Sequence, residues 1–133
     1  MESEPVIKEL GHEEAMALLA TRSVGRVAVD RPEGPPHVVP VNYTLLRGSV
    51  VFRSVPGTKL DLLVKEPVTF EVDDWDPEAQ VGWSVVVEGL AYEASDREME
   101  IEELNLRSAV EQQTSRWVRL MPRSITARRV IPR

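Results

Sequence analysis

The residues best suited to chemistry lie on either side of a Pro-Gly break within residues 50–63, which read VVFRSVPGTKLDLL. A predicted strand ends with Arg53 and Ser54, and Thr58 and Lys59 follow at the predicted start of a short helix. The first N–H groups of a helix have no partner within the helix and carry partial positive charge. Arginine can hold two phosphate oxygens, and lysine adds a point charge. The stretch therefore predicts a phosphate site.

A simpler interpretation of Arg53 and Lys59 is a solvated turn that carries two surface cations. Their placement at a helix start favours phosphate binding over that alternative. Trp117, by contrast, is predicted to be a packing residue, because large aromatic side chains mostly serve cores and interfaces.

Other kinds of catalytic or metal site find little support in the sequence. Cysteine is absent, which excludes disulfides, thiolate nucleophiles and cysteine-ligated metals. The two histidines, His12 and His37, have no neighbouring acid or nucleophile, so we expect a solvated role for His12 and a structural role for His37. Asp73, Asp74 and Asp76 lack the spacing of a calcium loop and are assigned to a strand end and turn. No metal site is predicted.

The bulk composition is that of a single globular domain spanning residues 1–133. The chain is 42% hydrophobic and 29% charged, and no run approaches the roughly 20 apolar residues of a membrane span. Residues 1–10 carry three glutamates and lack the basic start and apolar run of a signal peptide. These features predict a cytoplasmic location and no membrane partner.

Charge is distributed unevenly along the chain. Residues 116–133 contain six arginines and no acid, although the net charge of the whole chain is −6. We expect these arginines to line an exposed strand face and to pair with acids elsewhere. The acidic total argues against nucleic acid as a partner, because affinity for a phosphate backbone grows with positive contacts.

Hydrophobic periodicity predicts a mainly β protein with a few helices. Six strands joined mostly by short connections favour a small antiparallel barrel, whose closure removes exposed edges. Pro40 is expected at an edge or bulge, and Gly89 at a bulge that bends the sheet. The predicted strands are Val24–Asp30, His37–Leu46, Val50–Ser54, Val68–Asp73, Gly82–Glu93 and Arg116–Ile131; the predicted helices are Gly11–Ala20, Thr58–Lys65 and Ser95 to about Gln112; Asp74–Val81 is predicted to be a polar loop.

The order and spacing of four short segments resemble the pyridoxamine 5′-phosphate oxidase-like, FMN-binding split-barrel family. The segments are Val41-Asn42-Tyr43, Phe52-Arg53-Ser54, Gly57-Thr58-Lys59 and Gly82-Trp83-Ser84. The resemblance runs from about Gly11 to Val130. It implies a six-stranded antiparallel split β-barrel, a homodimer, and FMN bound in clefts at the dimer interface.

The resemblance also implies roles for individual residues. Arg53 and Lys59 would bind the FMN phosphate with help from Thr58, and Ser54 would face the ribityl chain or the ring. Val41 would present its backbone, and Asn42 its side chain, to the pyrimidine edge of the flavin. Trp83 and Ser84 would flank the flavin from the partner subunit. A core or dimer-interface aromatic is the alternative for Trp83.

The resemblance does not identify a substrate. The residues that clamp substrate phosphate in true pyridoxamine phosphate oxidases have no counterparts here, and Arg128 and Arg129 do not align with those roles. The favoured hypothesis is an FMN-dependent oxidoreductase that acts on an unknown small molecule, with no catalytic residue assigned. The alternative is a non-catalytic module that binds or stores flavin, deazaflavin or haem.

Overall fold

A computed structural model of the chain describes residues 4–54, 67–95 and 116–132. These residues form seven strands and one helix. In chain order, the elements are β1 (Val6–Leu10), α1 (His12–Leu19), β2 (Val24–Val29), β3 (His37–Leu46), β4 (Ser49–Ser54), β5 (Pro67–Asp76), β6 (Val81–Ala94) and β7 (Arg116–Ile131). The helices predicted at 58–65 and 95–112 lie outside the described residues, apart from Ser95 itself.

Six of the strands close into an antiparallel barrel, as predicted. The sheet order is β1-β7-β4-β3-β2-β5-β6, and the additional pairing of β6 with β7 closes the ring. The first strand, β1, lies outside the ring and pairs with the last part of β7, where Val6 is opposite Ile131. The sequence did not predict β1, because VIKEL is short and its three central residues are exposed.

The barrel interior follows the two-residue alternation of its strands. Val27 and Val29 on β2, and Val68, Phe70 and Val72 on β5, are buried as predicted. Helix α1 adds Ala15 and Leu19 to the same interior cluster, and the Tyr43 hydroxyl donates a hydrogen bond to the Leu19 carbonyl. The other interior residues on the strands are Tyr43, Val50, Phe52, Val85, Val87, Ala91, Val118, Leu120 and Ala127.

The predictions for Pro40 and Gly89 are confirmed. Residues 37–42 of β3 pair with β2, whereas the ladder between β3 and β4 begins only at Tyr43 opposite Phe52. Pro40 therefore lies on a part of β3 that has an edge toward β4. At Gly89 the register with β7 shifts by one residue: Glu88 is opposite Ser124, but Gly89 is opposite Pro122. This shift is a β-bulge.

The predicted loop at Asp74–Val81 is wrong at both ends. Strand β5 continues to Asp76 and β6 begins at Val81, so only residues 77–80 form the turn. The extension has a packing reason, because the Trp75 ring lies over Gly82, its partner on β6. Asp76 then starts the turn by accepting hydrogen bonds from two backbone N–H groups that follow it.

In the part of the chain that the structure describes, no helix is long and apolar enough to span a membrane. The cytoplasmic location and the single-domain organisation remain predictions.

Candidate functional site

Arg53 lies on the outer face of the barrel. On β4 the side chains of Val50 and Phe52 belong to the interior cluster, so Val51 and Arg53 point the other way. Arg53 is opposite Trp117 on β7, and its guanidinium carbon lies 4.2 Å from the centroid of the indole ring. This is a cation–π arrangement, which holds the guanidinium over the ring face. The cation predicted to bind phosphate is therefore fixed in position by an aromatic neighbour.

Asn42 lies next to Arg53 on the same outer face. The ladder between β3 and β4 ends with Tyr43 opposite Phe52, and one further step along both strands places Asn42 opposite Arg53. The Tyr43 N–H donates to the Ser23 carbonyl at 2.9 Å, so the backbone of Tyr43 faces β2. Because backbone groups alternate along a strand, the N–H and C=O of Asn42 face the β4 side, beyond the described ladder. Asn42 thus offers both backbone and side-chain groups beside Arg53.

Val41 lies beside this site but does not face it. Its side chain packs against the interior cluster, and its backbone pairs with Gly25 on β2. Of the two β3 residues predicted to contact the flavin, the structure therefore places only Asn42 on the outer face next to Arg53.

Trp83 and Ser84 lie far from Arg53 within one chain. Trp117 is opposite Arg53 on β4 and opposite Ala94 on β6, so these three residues form one row across neighbouring strands. Ser84 is ten residues away from Ala94 along that strand, which corresponds to roughly 33 Å. In the other direction around the barrel, β3, β2 and β5 separate β4 from β6.

Trp83 and Ser84 also point to opposite faces of β6. The Trp83 ring packs against the interior cluster, and the Arg22 guanidinium lies 5.7 Å from its centroid. Ser84, its neighbour on the strand, faces outward. A site that combines Arg53 with Ser84 therefore needs a second copy of the chain.

Three predicted site residues have no described side chain. Thr58 and Lys59 lie outside the described residues, and of Ser54 only the backbone at the end of β4 is described. Their predicted roles at the phosphate stay predictions.

Trp117 packs as predicted, and it also has a feature that the sequence could not show. Its ring is buried, with 4% exposure, in a second cluster on the outer face, formed with Leu46, Val51 and Ala94. The indole Nε1 is buried too, and has no hydrogen-bond partner within the described part of the chain. Alternation along residues 116–120 predicts which face Trp117 occupies, but not that its N–H lacks an acceptor.

The predicted pairing of the β7 arginines with acids stays a prediction. Ion pairs within the described part of the chain join Arg26 to Glu71 and Asp73, and Arg22 to Asp74. On β7, Arg119 donates from Nε to the hydroxyl of Ser49, at 2.7 Å. Ser49 in turn donates to the Leu46 carbonyl, so this buried hydroxyl is satisfied from both sides.

Burial and ion pairing shift the pKa values of two acids near Arg22 and Arg26. Burial, and next the hydrogen bond with Asp73, raise the pKa of Glu71 despite its bond to Arg26. The hydrogen bond from Arg22 lowers the pKa of Asp74. Asp73 and Asp74 lie in the last part of β5, and Asp76 ends the strand and starts the turn. Among the described residues, no group of three or more His, Asp or Glu side chains is arranged to hold a metal ion.

The two histidines agree with their predicted roles. His12 begins α1 and is exposed. His37 is half-buried and pairs with Val29 at the start of β3. Neither lies in the row of residues that contains Arg53.

The closed six-stranded barrel, with β1 added to its last strand, defines the class as a split β-barrel. The chain belongs to the pyridoxamine 5′-phosphate oxidase family, whose model matches residues 11–129.

Comparison with individual proteins agrees with this family. An uncharacterized protein of Mycobacterium tuberculosis, Rv0080, is 41% identical over 98 residues, a match that covers 69% of this chain. The chain spans 64% of the length of that relative. The FAD-binding protein of Mycobacterium smegmatis is 31% identical, with a TM-score of 0.74 over 93% of this chain and 98% of that one. An FAD-binding protein of Mesorhizobium loti shares the fold at 22% identity, with a TM-score of 0.80 over 95% and 98%.

Proposed function

We propose that the protein binds a flavin nucleotide on the outer face of the barrel, at the end of β4, and uses it as an oxidoreductase on a small molecule. The observation that carries this proposal is the row formed by Asn42, Arg53 and Trp117 on three neighbouring strands. It joins an amide, a stacked guanidinium and a buried indole N–H that has no acceptor within the described part of the chain. Such donors suit an anionic ligand that is also rich in acceptor groups.

The residues present fit the two ends of a flavin nucleotide. Arg53 and Lys59 would hold the phosphate, with Thr58 and Ser54 assisting. The outward backbone and side chain of Asn42 match the alternating donors and acceptors of the pyrimidine edge. Ser84 of the partner subunit would complete the cleft, because Ser84 of the same chain lies too far away.

The bound flavin would supply the transfer of electrons or hydride, and the protein would supply position and electrostatics. Arg53 would neutralise phosphate charge at one end of the ligand. Asn42 would orient the ring by hydrogen bonds. The packing of Trp117 around Arg53 keeps water away from the cation and so strengthens its attraction for phosphate.

Flavin binding is tested by titrating the purified protein with FMN, FAD and riboflavin. Arg53→Ala should weaken FMN roughly tenfold or more, because a hydrogen bond to a charged group contributes about 1.5–3 kcal/mol. Riboflavin affinity should stay unchanged, since riboflavin has no phosphate. Arg31→Ala is the matched control, because it removes an arginine from the loop between β2 and β3, where its Nε donates to the Pro35 carbonyl. Absence of binding of all three ligands at micromolar concentration would overturn the flavin proposal.

The nature of the cofactor is read from the protein as it is purified from cells. Flavin bands in the absorption spectrum, followed by chromatography of the released flavin, distinguish FMN from FAD. A haem Soret band, or the spectrum of a deazaflavin, would assign the chain to the alternative cofactors instead.

Catalysis is tested separately from binding. Under anaerobic conditions, NADH or NADPH should bleach the flavin bands, and an added acceptor should restore them. A flavin that binds tightly but is reduced by neither donor would indicate a storage or carrier module rather than an oxidoreductase.

The assembly and the location belong to the same proposal. We infer a homodimer in which each cleft takes residues from both copies, and a cytoplasmic location. Sedimentation at micromolar concentration should give a species of twice the 15.0 kDa chain mass. A species of 15.0 kDa in the presence of saturating flavin would contradict the shared cleft.

A further inference from the structure

Trp117 is a buried tryptophan on the outside of the barrel. Other large side chains on the outer face of β6 and β7 are well exposed: Leu90 is 41% exposed, Tyr92 38% and Met121 44%. Trp117 is only 4% exposed, and it packs with Leu46, Val51 and Ala94. This apolar setting accounts for the ring of Trp117 but offers nothing to its polar N–H.

The indole N–H is the feature that packing does not explain. A buried donor without an acceptor is unfavourable, and most buried polar groups in proteins are paired. The surroundings of Trp117 provide no acceptor within the described part of the chain. An acceptor supplied by a bound ligand would satisfy this N–H.

The position of Arg53 indicates which kind of ligand. Its guanidinium carbon lies 4.2 Å from the centroid of the Trp117 ring. Stacking uses the face of a guanidinium, whereas its N–H groups radiate in the plane and bind oxyanions. With the guanidinium over the ring, an anion bound by Arg53 would lie close to the indole, and the oxygens of one phosphate could accept from both groups.

We propose that Trp117 is a cofactor-binding residue whose indole N–H donates a hydrogen bond to the same phosphate that Arg53 binds. This inference rests on the proposed flavin function. It gives Trp117 two roles: its ring face positions the Arg53 guanidinium, and its N–H contacts the ligand. The sequence predicted only a packing role for the Trp117 ring and did not predict a ligand contact for its N–H.

The test is Trp117→Phe, which keeps an aromatic ring beneath Arg53 and removes the N–H. FMN affinity should fall roughly tenfold or more, the factor expected for a hydrogen bond to a charged group, and riboflavin affinity should not change. Trp75→Phe is the matched control, because it makes the same chemical change at an exposed tryptophan that lies over Gly82. Equal effects on FMN and riboflavin, or no effect on either, would overturn the inference.

A second measurement does not depend on the variant folding well. In protein labelled with nitrogen-15 at tryptophan, the three indole N–H groups give separate signals, one for each tryptophan of the chain. The Trp117 signal should shift when FMN or inorganic phosphate is added, and riboflavin should shift it less. An unchanged chemical shift of the Trp117 indole N–H in the presence of FMN and of phosphate would contradict the contact.

Failure of this inference differs from failure of the flavin proposal. If the unmodified protein binds no flavin, the proposed function itself fails. If Arg53→Ala reduces the preference for FMN over riboflavin but Trp117→Phe leaves it intact, only the role of Trp117 is wrong.

Discussion

The bulge at Gly89 provides a sharp test of the barrel geometry. A Cβ built on Gly89 would lie 2.0 Å from the Met121 carbonyl oxygen, 2.9 Å from the Met121 carbonyl carbon and 3.0 Å from the Pro122 Cα. All three atoms are backbone, so no side chain can turn away to make room. Gly89→Ala would therefore force β6 and β7 apart at the bulge.

The cost follows from that separation. Bringing the closest contact to 3.0 Å requires a local shift of at least about 1 Å between the two strands. Overpacking of this kind costs roughly 1–3 kcal/mol, and weakening two ladder hydrogen bonds adds about 1–3 kcal/mol. Replacing glycine with alanine also lowers the conformational entropy of the unfolded chain, which stabilises the folded state by about 0.4–1 kcal/mol. We expect Gly89→Ala to lower the free energy of unfolding by about 2–4 kcal/mol, a large share of the stability of a domain this size.

The assay is urea unfolding followed by circular dichroism, with Gly11→Ala as the control. Gly11 precedes α1 with φ −82°, and a Cβ there meets no atom within 4 Å. The control should change the free energy of unfolding by less than about 1 kcal/mol. A Gly89→Ala variant as stable as this control would refute the register of β6 and β7.

Two further predictions concern stability and pH. Tyr43→Phe should lower the free energy of unfolding by about 1 kcal/mol, because the Leu19 carbonyl loses its buried donor. Burial also raises the pKa of Tyr43 from 10.0 to about 12, so the stability linked to its phenol is complete below pH 10 and is lost as the pH rises through about 12. A phenolate absorbance titration should show one phenol ionising late, and Tyr43→Phe should remove that signal. Asp74 has a pKa that Arg22 holds below 3.8, so this pair stabilises the fold above that pH and its contribution is lost as the pH falls through the lowered pKa. Asp74→Asn should therefore make the urea midpoint less sensitive to acid, and an unchanged acid dependence would show that the pair contributes nothing.

The sequence predicted much of the barrel because strand patterns are local. The alternation of Val68, Phe70 and Val72 identifies an inward face without knowledge of any other strand. Pro40 lacks an N–H, so it indicated an edge. Boundaries set by contacts between strands were harder to predict. The polar residues after Asp73 read as a loop, whereas the packing of Trp75 on Gly82 continues β5 to Asp76.

The candidate site, too, was predicted from the sequence only in part. The sequence by itself determined that a strand ends at Arg53 and Ser54, and it predicted a phosphate site in that neighbourhood. Only the tertiary structure decided that Asn42 and Trp117 flank Arg53, and that Trp83 and Ser84 of the same chain do not. The reason is physical: side-chain direction along a strand depends on local backbone geometry, but the register between strands depends on closure of the whole barrel. The pairing of β7 with both β4 and β6 likewise places Trp117 opposite Arg53 and Ala94, and the proposed phosphate contact depends on this position.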